Sequence, residues 1–236
     1  MNHEDNPWFP KVFDQERRAD RKRLSIQDYA WVWDGDYREN SDAQILSGKV
    51  VVREFEPSAN WNGPYYGIDW GFSQDPCVGV KCWVHDDRLW IEYEAGRVGL
   101  ENDDIADYMI QRIPAIESHV IRSDSARPET ISHVKQARNG RKSLPRLVGV
   151  EKWKGSVEDG IAHLRSYSEI VIHERCKETI LEARKYSYKV DKLSGDVMTD
   201  IVDKHNHYID ATRYAVDPLI KRRTQAKSTP FTHMGR

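Results

Sequence analysis

Cysteine is scarce in this sequence. Only three of the 236 residues are cysteines, Cys77, Cys82 and Cys176, and they form neither a C-x-x-C pair nor a zinc-type pairing with nearby histidines. A chain of this length can bury a sizeable hydrophobic core without disulfide bonds. We therefore expect a protein of a reducing, intracellular compartment.

Long apolar runs are absent as well. No segment approaches the roughly 20 apolar residues that cross a membrane, and the first ten residues, MNHEDNPWFP, lack the apolar core of a signal peptide. We expect a soluble, cytoplasmic protein with no membrane partner.

Neither sign of charge dominates. The chain has 38 acidic and 36 basic residues, a formal net charge of -2. The molecule as a whole is therefore not a polycation that coats nucleic acid, and any contact with DNA must come from a local patch.

Composition divides the chain into three parts. Residues 1–60 are dense in alternating charge and predict a short charged helix followed by an irregular aromatic segment with Trp31 and Trp33. Residues 61–220 carry the pattern of a folded domain, whereas residues 221–236 are polar and basic and are predicted to be disordered. We interpret the three parts as a linker segment, a domain and a flexible basic tail.

The domain begins with three short runs of β-branched and aromatic residues, YYGIDW, CVGVKCWVH and RLWIEYEAGR. Their short connections predict an antiparallel meander. Helical and strand patterns then alternate, a hairpin follows around the sequence LSGD, and the last helix is predicted from Asp203 to Ile220. This order predicts an α/β fold with a central mixed sheet and helices on both faces.

Two aspartates stand at the ends of predicted strands. Asp69 closes the run YYGID, and Asp124 closes HVIRSD. An aspartate in such a position is most often a turn or cap residue. In an open sheet, however, ligands bind beyond the carboxyl ends of strands, where two such aspartates can converge on one site. For either residue alone both interpretations stay open.

The last predicted helix contains the stretch KHNHYIDATRY. At about 100° per residue, Asp203, His207 and Asp210 fall on one helical stripe, which Tyr214 extends. A solvated polar face is the alternative explanation. The small residue Ala211 and the apolar residues beside the stripe favour a helix that approaches a sheet closely.

Three aspartates from two strands and a helix form a hard, oxygen-rich donor set. Such a set suits Mg²⁺ or Mn²⁺ rather than zinc. Two such ions about 4 Å apart clamp a scissile phosphate, where one helps to generate the attacking hydroxide and the other stabilises the leaving 3′ oxygen. Because the carboxylates repel one another, the site is expected to depend on the metal.

Four stretches occur in the order YGIDWGFSQDP, RSDSARPETISHVK, KWKGSVEDGIAHLR and DKHNHYIDATRYAV. Together they resemble the C-terminal nuclease domain of the large terminase subunit of tailed bacteriophages, an RNase H-like endonuclease that cuts concatemeric DNA during genome packaging. The resemblance covers residues 65–217. In addition, NPWFPKVFDQER and DYAWVWDGDY are similar to the segment that joins the ATPase domain of that family to its nuclease.

The resemblance implies an RNase H-like fold, with three antiparallel strands followed by parallel ones and a β-hairpin near the site. It also implies that Asp69, Asp124 and Asp210 are catalytic acids that bind two divalent cations, Mg²⁺ or Mn²⁺. The residues Asp203 and His207 would be auxiliary or outer-sphere groups.

Three lysines, Lys185, Lys189 and Lys192, match a hairpin thought to contact DNA in some members of that family, although an exposed hairpin with solubilising lysines is an equal alternative. The partners implied by the resemblance are double-stranded DNA, the terminase ATPase domain, the portal protein and the small terminase subunit. They would act in the cytoplasm of the infected bacterial cell, and the isolated domain is expected to be monomeric.

The ATPase half of that family has no counterpart here. The phosphate-binding pattern G-x-x-x-x-G-K-[ST] does not occur. The fragment Ser47-Gly48-Lys49 matches it only in part, since valine follows the lysine and the upstream glycine is missing. We therefore expect an isolated nuclease domain or a truncated product. Two further hypotheses stay open: another RNase H-like enzyme of the Holliday-junction resolvase or integrase type, and a non-catalytic module that docks onto the portal or small terminase subunit. The basic tail is expected either to contact the portal or DNA or to act only as a solubilising segment.

Overall fold

The structure, a computed structural model, describes residues 10–23, 42–137, 140–191, 194–202 and 204–220. The chain divides into two compact units, residues 1–44 and residues 45–236. Each unit is described by itself.

The first unit contains the helix α1, Lys11–Arg23. In its first turn Asp14 contacts Arg17 at 2.8 Å and Arg18 at 2.8 Å, the spacings at which helical side chains meet. The charged helix predicted near the N-terminus is therefore confirmed. The aromatic segment that follows it lies outside the described residues.

The second unit is built on a seven-stranded sheet with the strand order β1-β7-β4-β3-β2-β5-β6. The strands are β1 Val50–Val52, β2 Asn62–Asp69, β3 Cys77–His85, β4 Arg88–Arg97, β5 Ile121–Ser123, β6 Leu147–Gly149 and β7 Glu169–Ile172. Strands β2, β3 and β4 form the antiparallel meander, and β5, β6, β7 and β1 each add in parallel to a neighbour. The predicted mixed sheet is confirmed.

The helices of this unit are α2 Asn102–Arg112, α3 Pro128–Val134, α4 Ser156–Ser166, α5 Lys177–Lys185 and α6 His207–Ala215, with a short 3₁₀ helix at Ile116–Ser118. They cover both faces of the sheet. On one face Tyr66 and Ile68 of β2 pack with Met109 of α2 and Val134 of α3. On the other face residues of β3, β4 and β7 pack with α4, α5 and α6.

Two features differ from the sequence prediction, the bounds of the last helix and the strand β1, whereas the predicted hairpin is confirmed. The helix expected from Asp203 to Ile220 begins only at His207, since His205 has a positive φ of 57° that an α-helix does not tolerate. It ends at Ala215, and after a turn at Val216 residues 217–220 are helical again. The hairpin consists of β8 Tyr188–Val190 and β9 Val197–Ile201, paired antiparallel. The strand β1 was not predicted.

Strand β1 lies within residues 1–60, the part interpreted as a linker, although it pairs with β7 at the edge of the sheet. The division into linker, domain and tail stays a prediction, and residues 221–236 lie outside the described residues. Among the described residues, no helix combines the length and the apolar character needed to cross a membrane.

Candidate metal centre

The two strand-end aspartates leave the sheet side by side. Strands β2 and β5 run parallel, with Ile68 in register with Ser123, so that Asp69 and Asp124 are the next residues on neighbouring strands. The indole Nε1–H of Trp70 donates to the main-chain carbonyl of Asp124 at 2.8 Å and ties the two strand ends together. Because side chains alternate along a strand, Asp69 lies on the face opposite the buried Ile68.

Helix α6 lies against that face because β2 has a glycine beneath it. A Cβ atom at Gly67 would stand 1.8 Å from the carbonyl oxygen of Ala211 and 2.8 Å from the amide nitrogen of Ala215. The small residues on both sides let the helix backbone approach the strand, as the sequence predicted for the alanines. This close approach brings Asp210, on the same helix, toward Asp69.

Asp210 contacts a buried guanidinium group. Both Nε and Nη2 of Arg213, one turn along the helix, donate to Oδ1 of Asp210, at 3.3 Å and 3.0 Å. The Arg213 side chain is only 8% exposed, and Gly160 of α4 makes room for it, since a Cβ there would lie 2.1 Å from Cδ of Arg213. The ion pair is therefore built into the packing between two helices.

His207 connects two acids. Its Nδ1–H donates to Oδ2 of Asp69 at 3.3 Å, and its Nε2 lies 3.3 Å from Oδ1 of Asp75. The hydrogen bond with Asp69 raises the pKa of His207 against the opposing effect of burial. His207 therefore carries its proton over a wider pH range than an ordinary histidine.

The third aspartate contacts a lysine. Nζ of Lys152, in the loop after β6, lies 2.6 Å from Oδ1 of Asp124, and the amide N–H of Ala126 donates to the same oxygen at 2.9 Å. Unlike Arg213, Lys152 is 47% exposed. Each of the three aspartates therefore has its own basic partner.

Electrostatics link the three aspartates. Burial raises the pKa of Asp69 above its ordinary value, and the negative charges of Asp210 and Asp124 raise it further, while the hydrogen bond from His207 lowers it. Burial likewise raises the pKa of Asp210, with Arg213 opposing and the charge of Asp124 adding to the rise. The carboxylates are thus close enough to repel one another, and a cation among them would relieve that repulsion.

The donor atoms suit a hard divalent cation, since they are carboxylate oxygens. Among the described residues, no three carboxylate, histidine or cysteine side chains are arranged so that they could hold one metal ion together. Instead, each aspartate contacts a basic side chain of its own, Lys152, His207 or Arg213.

A family model for the terminase RNase H-like domain matches residues 69–218, more than half of the chain. The chain belongs to this family. The matched range begins at Asp69 and contains Asp124 and Asp210.

Two curated relatives are large subunits of terminases. That of Bacillus phage SPP1 is 28% identical over 231 residues, which are 92% of this chain and 51% of that protein. The PBSX phage terminase large subunit of Bacillus subtilis (strain 168) is 27% identical over 153 residues, 64% of this chain and 33% of that protein. This chain thus spans about half the length of the first relative and a third of the second.

Solved structures of this family share the fold. The crystal structure of the nuclease domain of the SPP1 large terminase, g2p, with bound Mn superposes with a TM-score of 0.63 at 28% identity and covers 72% of this chain and 97% of that one. The large terminase of a thermophilic bacteriophage superposes with a TM-score of 0.54 at 18% identity over 93% of this chain and 55% of that one. The predicted RNase H-like fold and the predicted terminase nuclease family are confirmed.

Not every predicted residue of this terminase domain lies where the sequence suggested. Asp203 and Lys192 lie outside the described residues. Lys185 is the last residue of α5, which continues through KETILEARK. Its predicted placement on the hairpin was therefore wrong. Lys189 lies on β8, where its side chain is exposed.

Two basic residues near the site, Lys204 and His205, were not predicted. Burial lowers the pKa of His205, and the positive charges of Lys185 and Lys204 lower it further, so these three residues lie close together. Lys204 and His205 also line a groove of about 540 Å³ that reaches His207 and Arg97. No local sequence signal distinguishes them from other surface residues.

Proposed function

We propose that this chain is a divalent-metal-dependent DNA endonuclease domain of a phage terminase large subunit, which cuts concatemeric viral DNA during genome packaging. The observation that carries the proposal is that Asp69 and Asp124 follow neighbouring parallel strands, while the helix α6, which packs on Gly67 two residues before Asp69, carries Asp210. Membership of the terminase RNase H-like family supports the nuclease assignment, and the Mn bound to the SPP1 nuclease domain supports the choice of cation.

In this proposal Asp69, Asp124 and Asp210 hold two ions, Mg²⁺ or Mn²⁺. Bound ions of this kind supply an activated water for attack on the phosphodiester and stabilise the charge that develops on the leaving oxygen. Hydrolysis by water needs no covalent intermediate with the protein.

The neighbouring side chains prepare the carboxylates for this role. His207 fixes the orientation of Asp69 through its Nδ1–H, and Arg213 fixes Asp210 from the buried side. Lys152 neutralises Asp124 and has an exposed side chain that can turn away when a metal ion takes its place. We propose His207 and Asp203 as auxiliary groups.

For the substrate we propose double-stranded DNA that lies along the groove beside His207. The positive charges of Lys185 and Lys204, which lie near His205, and of Arg97, which lines the groove with Lys204, supply the local contacts that a chain of nearly neutral charge needs to bind phosphates. Lys189, exposed on the hairpin, is a further candidate for DNA contact. Such binding is expected to weaken strongly with salt.

We propose that the domain works with a terminase ATPase domain, a portal protein and a small terminase subunit in the cytoplasm of the infected cell. The large terminase subunits to which the chain is similar support this proposal. A nuclease tethered to a motor that already holds DNA needs little affinity of its own, because tethering supplies a high effective concentration.

The deciding experiment compares plasmid degradation by the wild type and by Asp210→Asn, with Mn²⁺ and with a chelator. We expect the wild type to cut only with metal and Asp210→Asn to be inactive although folded. The matched control is Asp104→Asn, which removes an exposed carboxylate on α2 and is expected to cut like the wild type.

Unchanged cleavage by Asp210→Asn would show that the site is misassigned. A four-way junction offered alongside linear and supercoiled plasmid tests the substrate. Preferential cleavage of the junction would contradict the terminase proposal in favour of a resolvase.

A further inference from the structure

The helix that carries Asp210 begins without a cap of its own. Its N-cap residue, Asn206, makes no side-chain hydrogen bond to the first turn. The first N–H groups of a helix have no partner within the helix and need one from elsewhere.

Glu182 of α5 supplies that partner. Its Oε1 accepts from the amide of His207 at 3.2 Å, and its Oε2 accepts from the amides of Tyr208 and Ile209 at 2.7 Å and 3.4 Å. The next amide, that of Asp210, makes the first bond within the helix, to Asn206 at 2.7 Å. One carboxylate thus takes all three amides that precede Asp210 in the helix.

The same arrangement occurs one helix earlier. The N-cap residue of α5, Cys176, makes no side-chain cap, and Glu94 of β4 accepts from the amides of Glu178 and Thr179 at 3.0 Å and 2.8 Å and from the Thr179 hydroxyl at 2.6 Å. Two carboxylates in series therefore connect β4 to α5 and α5 to α6.

These capping contacts are buried. Glu182 is 6% exposed and Thr179 is fully buried. A buried carboxylate is costly unless hydrogen bonds satisfy it, and the three amides of α6 offset part of that cost. The amides and the carboxylate therefore stabilise each other, and neither can move without leaving the other unsatisfied.

We propose that Glu182 is a positioning residue of the metal centre, which sets the first turn of α6 and thereby the placement of His207 and Asp210 against Asp69. Glu94 acts indirectly, because it holds the first turn of α5, the helix that carries Glu182. This inference rests on the proposed function, since it concerns the geometry of the proposed metal ligands.

The test measures Mn²⁺ binding by calorimetry without DNA, well below the unfolding temperature, for the wild type, Glu182→Gln and Asp210→Asn. Glutamine is nearly isosteric with glutamate, but its amide nitrogen cannot accept from a helix N–H. We expect Glu182→Gln to weaken Mn²⁺ binding about 10-fold, the effect of removing a group that orients metal ligands. Hydrogen exchange of the Tyr208 and Ile209 amides should become faster in the same variant.

The matched control is Glu92→Gln, on the same strand as Glu94. Glu92 is 8% exposed and contacts Lys81 at 2.9 Å and Trp83 at 2.7 Å, both on β3. We expect this variant to lose stability without a change in Mn²⁺ affinity. If Glu182→Gln does not fold, Glu94→Gln takes its place, with a smaller weakening of Mn²⁺ binding expected.

The outcomes separate the two proposals. If Asp210→Asn loses Mn²⁺ but Glu182→Gln binds it like the wild type, the positioning role is refuted and the metal site stands. If Asp210→Asn binds Mn²⁺ like the wild type, the metal site is misassigned and the positioning role falls with it. Equal weakening in Glu182→Gln and Glu92→Gln would also refute a specific role of Glu182.

Discussion

The backbone of Ala211 on α6 lies directly over Gly67 on β2, so close that a Cβ atom at position 67 would stand 1.8 Å from the Ala211 carbonyl oxygen. That oxygen belongs to the backbone and cannot rotate away as a side chain would. The distance between the strand that ends at Asp69 and the helix that carries Asp210 therefore depends on the absence of a side chain at this position.

We expect Gly67→Ala to push α6 away from the sheet. Overpacking of this kind costs about 1–3 kcal/mol of unfolding free energy, and the separation of Asp69 from Asp210 should weaken Mn²⁺ binding in the protein that still folds. The comparison is Gly149→Ala on β6, where the nearest atom to the new Cβ, on Ser125, is 3.1 Å away. Chemical denaturation should show a clearly smaller loss for Gly149→Ala, and equal losses would contradict the explanation.

Lys152 and Mn²⁺ are expected to compete for Asp124. Replacing the lysine by methionine removes the competing charge, so Lys152→Met should bind Mn²⁺ more tightly than the wild type in a calorimetric titration. Because Lys152 is 47% exposed, the change in unfolding free energy should stay below about 1 kcal/mol. Weaker Mn²⁺ binding in this variant would mean that Lys152 supports the site instead of competing for it.

Arg213 should behave differently because its ion pair is buried. Arg213→Met leaves Asp210 without the partner that lowers its pKa, and breaking a buried pair from one side costs about 3 kcal/mol or more. Urea denaturation of Arg213→Met and Lys152→Met measures the contrast. A stability loss for Arg213→Met as small as that for Lys152→Met would show that the burial of the pair is unimportant.

Stability should fall as Glu182 ionises. Burial raises the pKa of Glu182 from an ordinary 4.5 to about 7, although the amides of α6 oppose the rise. For an acid with a raised pKa the folded state binds more protons than the unfolded state, so its stabilising contribution is fully present below pH 4.5 and is lost as the pH rises through about 7.

The wild type should therefore lose about 3 kcal/mol more than Glu182→Gln when the pH rises from about 5 to about 8. Denaturation curves of both proteins at the two pH values give the two losses of unfolding free energy. The titration of other groups contributes equally to both and cancels in their difference. An equal pH dependence of both proteins would contradict the raised pKa.

The sequence allowed the acids of the candidate site and His207 beside them to be predicted, but not Lys152, Arg213 or Glu182. Asp69 and Asp124 stand at strand ends, a signal contained within a few residues, and Asp210 follows from helical spacing. Glu182, by contrast, has the sequence environment of an ordinary helix residue in KETILEARKY, and its role arises from contacts with amides 25 to 27 positions away. Tertiary contacts of this kind leave no local pattern.

The same reason explains the errors in the fold. The start of α6 was predicted too early because the polar residues before His207 fit helical spacing, whereas the structure caps the helix from α5. Strand β1 has only three residues, and its partner β7 lies more than a hundred positions later in the chain. The alternation of the other strands and helices is strong enough to be recognised without such contacts.

The strand order has a consequence for the chain while it is being synthesised. The meander β2-β3-β4 can form early, but β1 can pair with β7 only after Ile170–Ile172 has been synthesised. Helix α6 can pack on Gly67 only after Ala211 has left the ribosome. Domains are generally made and folded from the N-terminus onward. A nascent chain therefore already contains all seven strands of the sheet, with Asp69 and Asp124, while the third aspartate is still missing, so the candidate site is complete only after α6 has been made.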